Sequence, residues 1–102
     1  MSSLRMSTTD RAVVLQGEID LAVADRVREE ILAAAASGIT TVDLSGVTFL
    51  DSTGLHALIA AGERLNGSGP LTLRSPSAPV RRLLALALPT GAPCLVVVDD
   101  DA

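Results

Sequence analysis

An acid, two hydroxyls, a glycine and a histidine occur within eight residues, 49–56, which read FLDSTGLH. These residues are Asp51, Ser52, Thr53, Gly54 and His56. The apolar pair before them suits a buried strand end, and the stretch after them has helical periodicity, so they are predicted to begin a helix. Residues of these types at a helix start can cap the helix, supply a nucleophile or accept a phosphate.

Capping is the simplest interpretation of Asp51 and Ser52. A side-chain oxygen of either residue would accept a backbone N–H of the first helical turn, which contributes about 1 kcal/mol. Capping does not explain Gly54, because a glycine inside a helix costs up to about 1 kcal/mol relative to alanine. A glycine at this position therefore predicts that some other group approaches the backbone closely.

A Ser52–His56 hydrolase is a second hypothesis. His56 follows Ser52 by four residues, so the two could share a helix face, and Asp20 or Asp51 could orient the imidazole. However, the nucleophile elbow needs a glycine two residues before the serine, where Leu50 stands. An aspartic protease would need the glycine two residues after the acid, whereas here it is three residues after Asp51. The spacing argues against both enzymes.

Phosphorylation of Ser52 is a third hypothesis. The N-terminus of a helix favours a negative charge, typically by about 0.3–1 kcal/mol, and the N–H groups of Thr53 and Gly54 could hold a phosphate. Gly54 would also leave room for an approaching kinase. Because Asp51 repels an added dianion, phosphorylation would change the local potential sharply, as a switch requires.

Strand-like and helix-like segments alternate along the chain. Strands are predicted at 11–16, 40–44, 71–74 and 94–98 from their apolar and β-branched residues, and a further strand is possible before residue 10. The first helix is predicted to follow Asp20 as N-cap and to stop at Ser37-Gly38. The second is predicted to end at 66–70, and the third to begin after Ser77 and to break at 89–93.

This β-α-β-α-β-α-β order predicts a single α/β domain. We expect a mostly parallel or mixed sheet of four to five strands, covered by about three to four helices. The valine-rich central strands predict burial on both faces of the sheet. The predicted division is an N-terminal segment at 1–9, which is a possible edge strand, a domain at 10–98 and a solvated acidic tail at 99–102.

Composition argues against several classes of function. The net charge is −4, all eight basic residues are arginine, and Phe49 is the only aromatic residue, so DNA or RNA binding is disfavoured. Cys94 is the only cysteine, which excludes an internal disulfide and a cysteine zinc site. No apolar run approaches the roughly 20 residues of a membrane span, and nothing resembles a signal peptide. We therefore expect a cytoplasmic protein with no cofactor, no metal and no membrane insertion.

Two segments resemble a known family. GEID at Gly17–Asp20, followed by a helix and by VDLSGVTFLDSTGL at Val42–Leu55, is similar to the STAS domain (sulfate transporter and anti-sigma factor antagonist). Within that family the similarity is to the bacterial anti-sigma factor antagonists, and it runs from about residue 10 to residue 98. The Asp-Ser-Thr-Gly-Leu core after an apolar strand is the specific part of the match.

The resemblance implies a partner-switching protein that is not an enzyme. It implies that the chain binds an anti-sigma factor, a serine kinase of the histidine-kinase-like ATPase fold, and so frees a sigma factor. Phosphorylation of Ser52 would end this binding, and a PP2C-type phosphatase would reset it. The implied partner-binding switch surface consists of Asp20, Asp51, Thr53, Gly54, Leu55 and His56.

Other features of the resemblance bear on the partner. Well-known members of the family carry glycine where this chain has His56. The bulkier side chain is expected to be a tolerated surface residue, and the alternative is that it alters which kinase fits. With few aromatic anchors, Leu50, Leu55 and the exposed part of the second helix would supply contact area. The alternative is a constitutive STAS scaffold subunit, for example of a lipid-transport ABC complex, in which the Ser52 hydroxyl is structural.

Overall fold

The computed structural model describes residues 4–65, 69–87 and 94–98. Five strands and three helices occur in these ranges: β1 (Arg5–Thr8), β2 (Val13–Ile19), α1 (Ala24–Ala35), β3 (Thr41–Leu50), α2 (Ser52–Arg64), β4 (Leu71–Arg74), α3 (Ala78–Ala87) and β5 (Leu95–Val98). The predicted α/β class is confirmed, and a strand does precede residue 10. The predicted acidic tail and the predicted break at 89–93 lie outside the described residues.

The five strands lie in the sheet in their chain order, β1-β2-β3-β4-β5. β1 runs antiparallel to β2, and every later strand is parallel to its neighbour. Crossovers between parallel strands are right-handed. Because all three crossovers advance in the same direction, they place α1, α2 and α3 on one face of the sheet.

The other face of the sheet is open, so the prediction of burial on both faces was wrong. Along β2, Val13, Leu15 and Ile19 are buried, whereas Gln16 and Glu18 between them are exposed. An ion pair between Arg74 and Asp43, 2.9 Å long, lies on neighbouring strands β3 and β4 at residues that are only partly buried. The alternation of apolar and polar side chains is typical of a sheet with one wet face.

A single core lies between the sheet and the helices. α1 contributes its inner face, and α2 packs beside it. The largest fully buried side chains are Leu15, Ile19, Ile31, Leu44, Leu58, Leu71 and Leu73. Complete burial of such side chains typically stabilises a fold by about 1.5–3 kcal/mol each, so this layer fixes how the helices lie over the strand ends.

β3 has ten residues, five more than predicted, because it continues six residues past the predicted end at 44. It also contains two irregularities. Its pairing with β2 shifts between Val14 and Gln16, and again between Gly17 and Glu18, so that β3 has one extra residue at each point. The inward positions of β3 are therefore Val42, Leu44, Val47 and Leu50, spaced by two, three and three residues. This uneven spacing hid the second half of the strand from a search for regular alternation.

Two predicted helix caps differ from the structure. Asp20 is not the N-cap of α1, which is Val23 and has no side-chain cap. Instead, the Asp20 carboxylate accepts the Ala22 N–H at 3.0 Å within a turn. Ser77 does precede α3, but its hydroxyl donates to the carbonyl of Val47 at 2.6 Å, which ties the start of α3 to β3.

Candidate functional site

Asp51 is the N-cap of α2, and Ser52 is the first residue of the helix. Asp51 has an extended backbone, and its Oδ1 accepts the backbone N–H of Gly54 at 2.8 Å. Of the two predicted caps, the carboxylate performs the capping. Ser52 is therefore not needed for the start of the helix.

Asp51 also connects the helix start to the end of β2. Its backbone N–H donates to the carbonyl of Ile19 at 3.2 Å, and its Oδ1 accepts the hydroxyl of Thr53 at 2.6 Å. The Thr53 hydroxyl, followed by the Gly54 N–H, lowers the pKa of the Asp51 carboxyl below its ordinary value, and the N–H of Leu21 adds a smaller contribution. The Asp51 carboxyl is therefore ionised, and hydrogen bonds from the Thr53 hydroxyl and the Gly54 N–H fix its position.

Ser52 is exposed, unlike its neighbours on either side, which are half-buried. Within the described ranges its hydroxyl has no hydrogen-bond partner, whereas the hydroxyl of Thr53 is bonded to Asp51. Of the two N–H groups predicted to hold a phosphate, that of Gly54 already donates to the Asp51 carboxylate at 2.8 Å. A charge added to Ser52 would face solvent.

Gly54 is buried, and the group that approaches it belongs to the chain itself. A Cβ at this position would lie 2.6 Å from Leu50 Cδ1, 2.8 Å from Ile19 Cγ2 and 2.9 Å from the Ile19 carbonyl oxygen. The predicted close approach exists, but it does not leave room for a kinase. Glycine allows α2 to begin directly against the ends of β2 and β3.

The predicted switch surface divides into exposed and buried members. His56 is exposed, and Asp20, Asp51 and Thr53 are partly exposed. Gly54 and Leu55 are buried, so placing them on the surface was wrong, since both lie on the side of α2 that faces the sheet. Leu50, which was expected to offer contact area, is also buried, with 7% of its surface exposed.

Two exposed apolar side chains near the site were not predicted. Leu21 follows Asp20 directly and is 73% exposed, and Phe49 is 49% exposed. Phe49 pairs in register with Glu18, just after the second irregularity of β3, which turns the ring away from the core. The only aromatic residue of the chain thus lies three residues before Ser52 on the surface. No regular pattern could have revealed this.

The hydrolase arrangement is not assembled. Ser52 and His56 are both exposed and share no hydrogen bond, and the Asp51 carboxylate is engaged by Thr53 and Gly54 rather than by the imidazole. Over the described ranges, no three His, Cys, Asp or Glu side chains form a group that could hold a metal ion.

None of the described helices combines the length and the apolar character needed to cross a membrane.

The chain matches a known protein family. Residues 2–89 match the family model STAS_2, described as "Mlab, STAS domain". This chain belongs to the STAS domain family. The family was expected from the GEID and Asp-Ser-Thr-Gly-Leu motifs, and the match spans both of them.

Solved structures resemble this STAS domain closely. The anti-sigma factor antagonist SpoIIAA in its unphosphorylated form has a TM-score of 0.66 and 23% sequence identity, over 94% of this chain and 88% of that one. An anti-sigma factor antagonist from Mycobacterium paratuberculosis has a TM-score of 0.65 and 30% identity, over 83% of this chain and 76% of that one. The first similarity establishes the fold, and the second supports the family as well.

Proposed function

We propose that this STAS domain is an anti-sigma factor antagonist that phosphorylation of Ser52 switches off. In its unmodified form it binds an anti-sigma factor with serine kinase activity and thereby frees a sigma factor. The kinase then transfers a phosphoryl group to Ser52, and the complex dissociates. A PP2C-type phosphatase restores the binding form. The domain is a substrate and a binding partner in this scheme, not an enzyme.

The observation that supports this proposal best is the state of the Ser52 hydroxyl. It is exposed, it lacks a partner among the described residues, and it sits on a helix start that Asp51 holds in place. A free hydroxyl on a hydrogen-bonded helix start suits a phosphoryl acceptor, because the kinase need not break an internal bond to reach it. The similarity to anti-sigma factor antagonists, one of them at 30% identity, points the same way.

The surroundings of Ser52 explain how a phosphate would act. Asp51 is adjacent and stays ionised, and Asp20 lies at the end of the neighbouring strand. A phosphate adds a charge of about −1.5 to −2 at neutral pH. The added charge is not neutralised by the Gly54 N–H, which already donates to the Asp51 carboxylate. It would instead be presented to the partner, where desolvation of an unpaired charge opposes binding.

Phosphorylation of the purified domain tests the proposal. The anti-sigma serine kinases of the source organism are purified and incubated in turn with the domain and ATP, and any phosphate is located by mass spectrometry. We expect one kinase to modify Ser52, and the Ser52→Ala variant to remain unmodified by it. Phosphate on another residue, or modification by none of these kinases, would contradict the proposal.

Binding of the same kinase provides the second measurement. Ser52→Ala is expected to bind as well as the unmodified domain, whereas Ser52→Asp should bind at least about tenfold more weakly, which corresponds to about 1.4 kcal/mol. Isothermal titration calorimetry measures both affinities. Equal affinities for the two variants would count against a charge switch.

A constitutive scaffold is the second candidate function, and one observation favours it. The family model that matches the chain has the description "Mlab, STAS domain". As a scaffold subunit, for example of a lipid-transport ABC complex, the domain would hold its partner whatever the state of Ser52. Stable co-purification with a permease and an ATPase, unaffected by Ser52→Asp, would support this function over the switch.

A further inference from the structure

Two adjacent hydroxyls, on Ser52 and Thr53, differ in their availability. Ser52 is exposed, and its hydroxyl has no partner in the described part of the chain. Thr53 is half-buried, and its Oγ1 lies 2.6 Å from Asp51 Oδ1. An ionised carboxylate can only accept a hydrogen bond, so the Thr53 hydroxyl is the donor. The distance is in the range of short, charge-assisted O–H···O⁻ bonds, which are about twice as strong as neutral ones.

Asp51 is held in a position that maintains this bond. The same Oδ1 accepts the Gly54 N–H at 2.8 Å, and the Asp51 backbone donates to Ile19 at the end of β2. Rotation of the carboxyl toward solvent would therefore break two side-chain bonds together. The carboxylate is fixed by the fold rather than by Thr53 alone, which means that it retains the Thr53 hydroxyl when a partner approaches the helix start.

We propose that Asp51 is a positioning residue that makes Ser52 the only phosphoryl acceptor of the pair by withholding Thr53. The inference rests on the proposed function, since it concerns the selection of the modified residue. In the transfer, a bond forms between Ser52 Oγ and the γ-phosphorus of ATP. The bond from that phosphorus to the bridging oxygen of ADP breaks, and the hydroxyl proton leaves to a base of the kinase or to water.

Phosphorylation of Thr53 would require an additional step. Its hydroxyl must first leave Asp51 and turn outward before its oxygen can attack the γ-phosphorus. Asp51 does not act as a base for Thr53, because the hydrogen bonds that fix the carboxylate also lower its pKa and so weaken its basicity. The hydroxyl proton therefore stays on Thr53, and the bond to Asp51 opposes reaction instead of promoting it.

Three variants test this selection when each is incubated with ATP and the kinase that phosphorylates the parent domain. The Ser52→Ala variant should take no phosphate on Thr53. The Asp51→Ala/Ser52→Ala variant should be phosphorylated on Thr53 at least about tenfold faster, corresponding to about 1.4 kcal/mol. A third variant, which adds Thr53→Val to the double substitution, should lose this new phosphate. If Thr53 reacts no faster in the double variant than in Ser52→Ala, the selection by Asp51 is refuted.

A kinase-independent measurement separates this inference from the proposed function. In proton NMR spectra of the unmodified domain, the hydroxyl proton of Thr53 should exchange with water at least about tenfold more slowly than that of Ser52, because it is hydrogen-bonded to Asp51. Asp51→Ala should remove the difference, whereas Asp51→Asn, which keeps an acceptor, should retain part of it. Rapid exchange of the Thr53 hydroxyl in the unmodified domain would overturn the inference even where Ser52 is phosphorylated. Slow exchange without any phosphorylation would contradict only the proposed function.

Discussion

Replacing Gly54 by alanine tests how closely α2 approaches the end of β2. The new Cβ would meet three atoms at less than 3.0 Å: Leu50 Cδ1, Ile19 Cγ2 and the Ile19 carbonyl oxygen. The side-chain atoms can yield by small rotations. The carbonyl oxygen is less able to move, because it accepts the N–H of Asp51 and so belongs to the link between the sheet and the helix.

The expected loss of stability on Gly54→Ala is the difference between two effects. Overpacking of a filled core typically costs about 1–3 kcal/mol. Exchange of glycine for alanine within a helix returns up to about 1 kcal/mol. Since one of the clashes involves backbone, we take the upper half of the overpacking range and expect a net loss of about 1–2 kcal/mol. For a domain of this size, such a loss lowers Tm by roughly 5–15 °C.

Urea unfolding followed by circular dichroism measures this free energy. His56→Ala is the matched control, because His56 is exposed in the same helix, and its stability should stay within about 0.5 kcal/mol of the parent. In a Leu50→Ala background, Gly54→Ala should cost less, with a coupling energy of at least about 0.5 kcal/mol, since the nearest clashing atom is gone. A Gly54→Ala variant as stable as the parent would refute the close packing of the helix start.

Three further predictions concern the site and the open face. Folding lowers the pKa of the Asp51 carboxyl. The ionised carboxylate therefore stabilises the fold above the pKa of about 3.9 that an aspartate has in the unfolded chain. This stabilisation is lost as the pH falls through the lower pKa of the folded state. The stability difference between the parent and Asp51→Asn in urea unfolding should therefore shrink below about pH 4, and a pH-independent difference would contradict this. Arg74→Met should raise the pKa of Asp43 in an NMR titration, because burial alone raises that pKa while the Arg74 hydrogen bond and the Ser45 N–H lower it. The same substitution should cost no more than about 1 kcal/mol of stability. An unchanged Asp43 pKa would show that the ion pair does not form. Leu21→Ser and Phe49→Ser should each weaken kinase binding about tenfold in calorimetry. Leu86 is also exposed but lies on α3, so Leu86→Ser should leave the affinity unchanged. Equal effects of all three substitutions would argue against a binding surface beside Ser52.

The order of elements and the position of the site could be predicted from local patterns. The helical spacing of Val27 and Ile31 and the short strand at Leu71–Arg74 agree with the structure, because these residues face the core at regular intervals. The motif around Ser52 was sufficient to place it at a helix start. Such features depend on neighbours in the sequence, which a single chain displays directly.

Other features of the site depend on contacts between distant segments. The choice of Asp51 over Ser52 as cap follows from the way Ile19 and Thr53 hold the carboxylate, and the burial of Gly54 follows from the approach of β2. The exposure of Phe49 follows from irregular pairing of two strands. None of these is written in local periodicity, and an apolar residue beside Leu50 is reasonably assigned to the core.

The two extra residues of β3 together determine which of the later residues in the strand face the core. One inserted residue exchanges inward and outward positions for everything that follows it. A second insertion reverses the exchange, so Leu50 faces the core opposite Ile19, as it would in a strand without insertions. The number of residues between Asp43 and Asp51 can therefore change in steps of two without turning Leu50 outward. A change of one residue would point Leu50 at solvent and rotate the start of α2 away from Ile19.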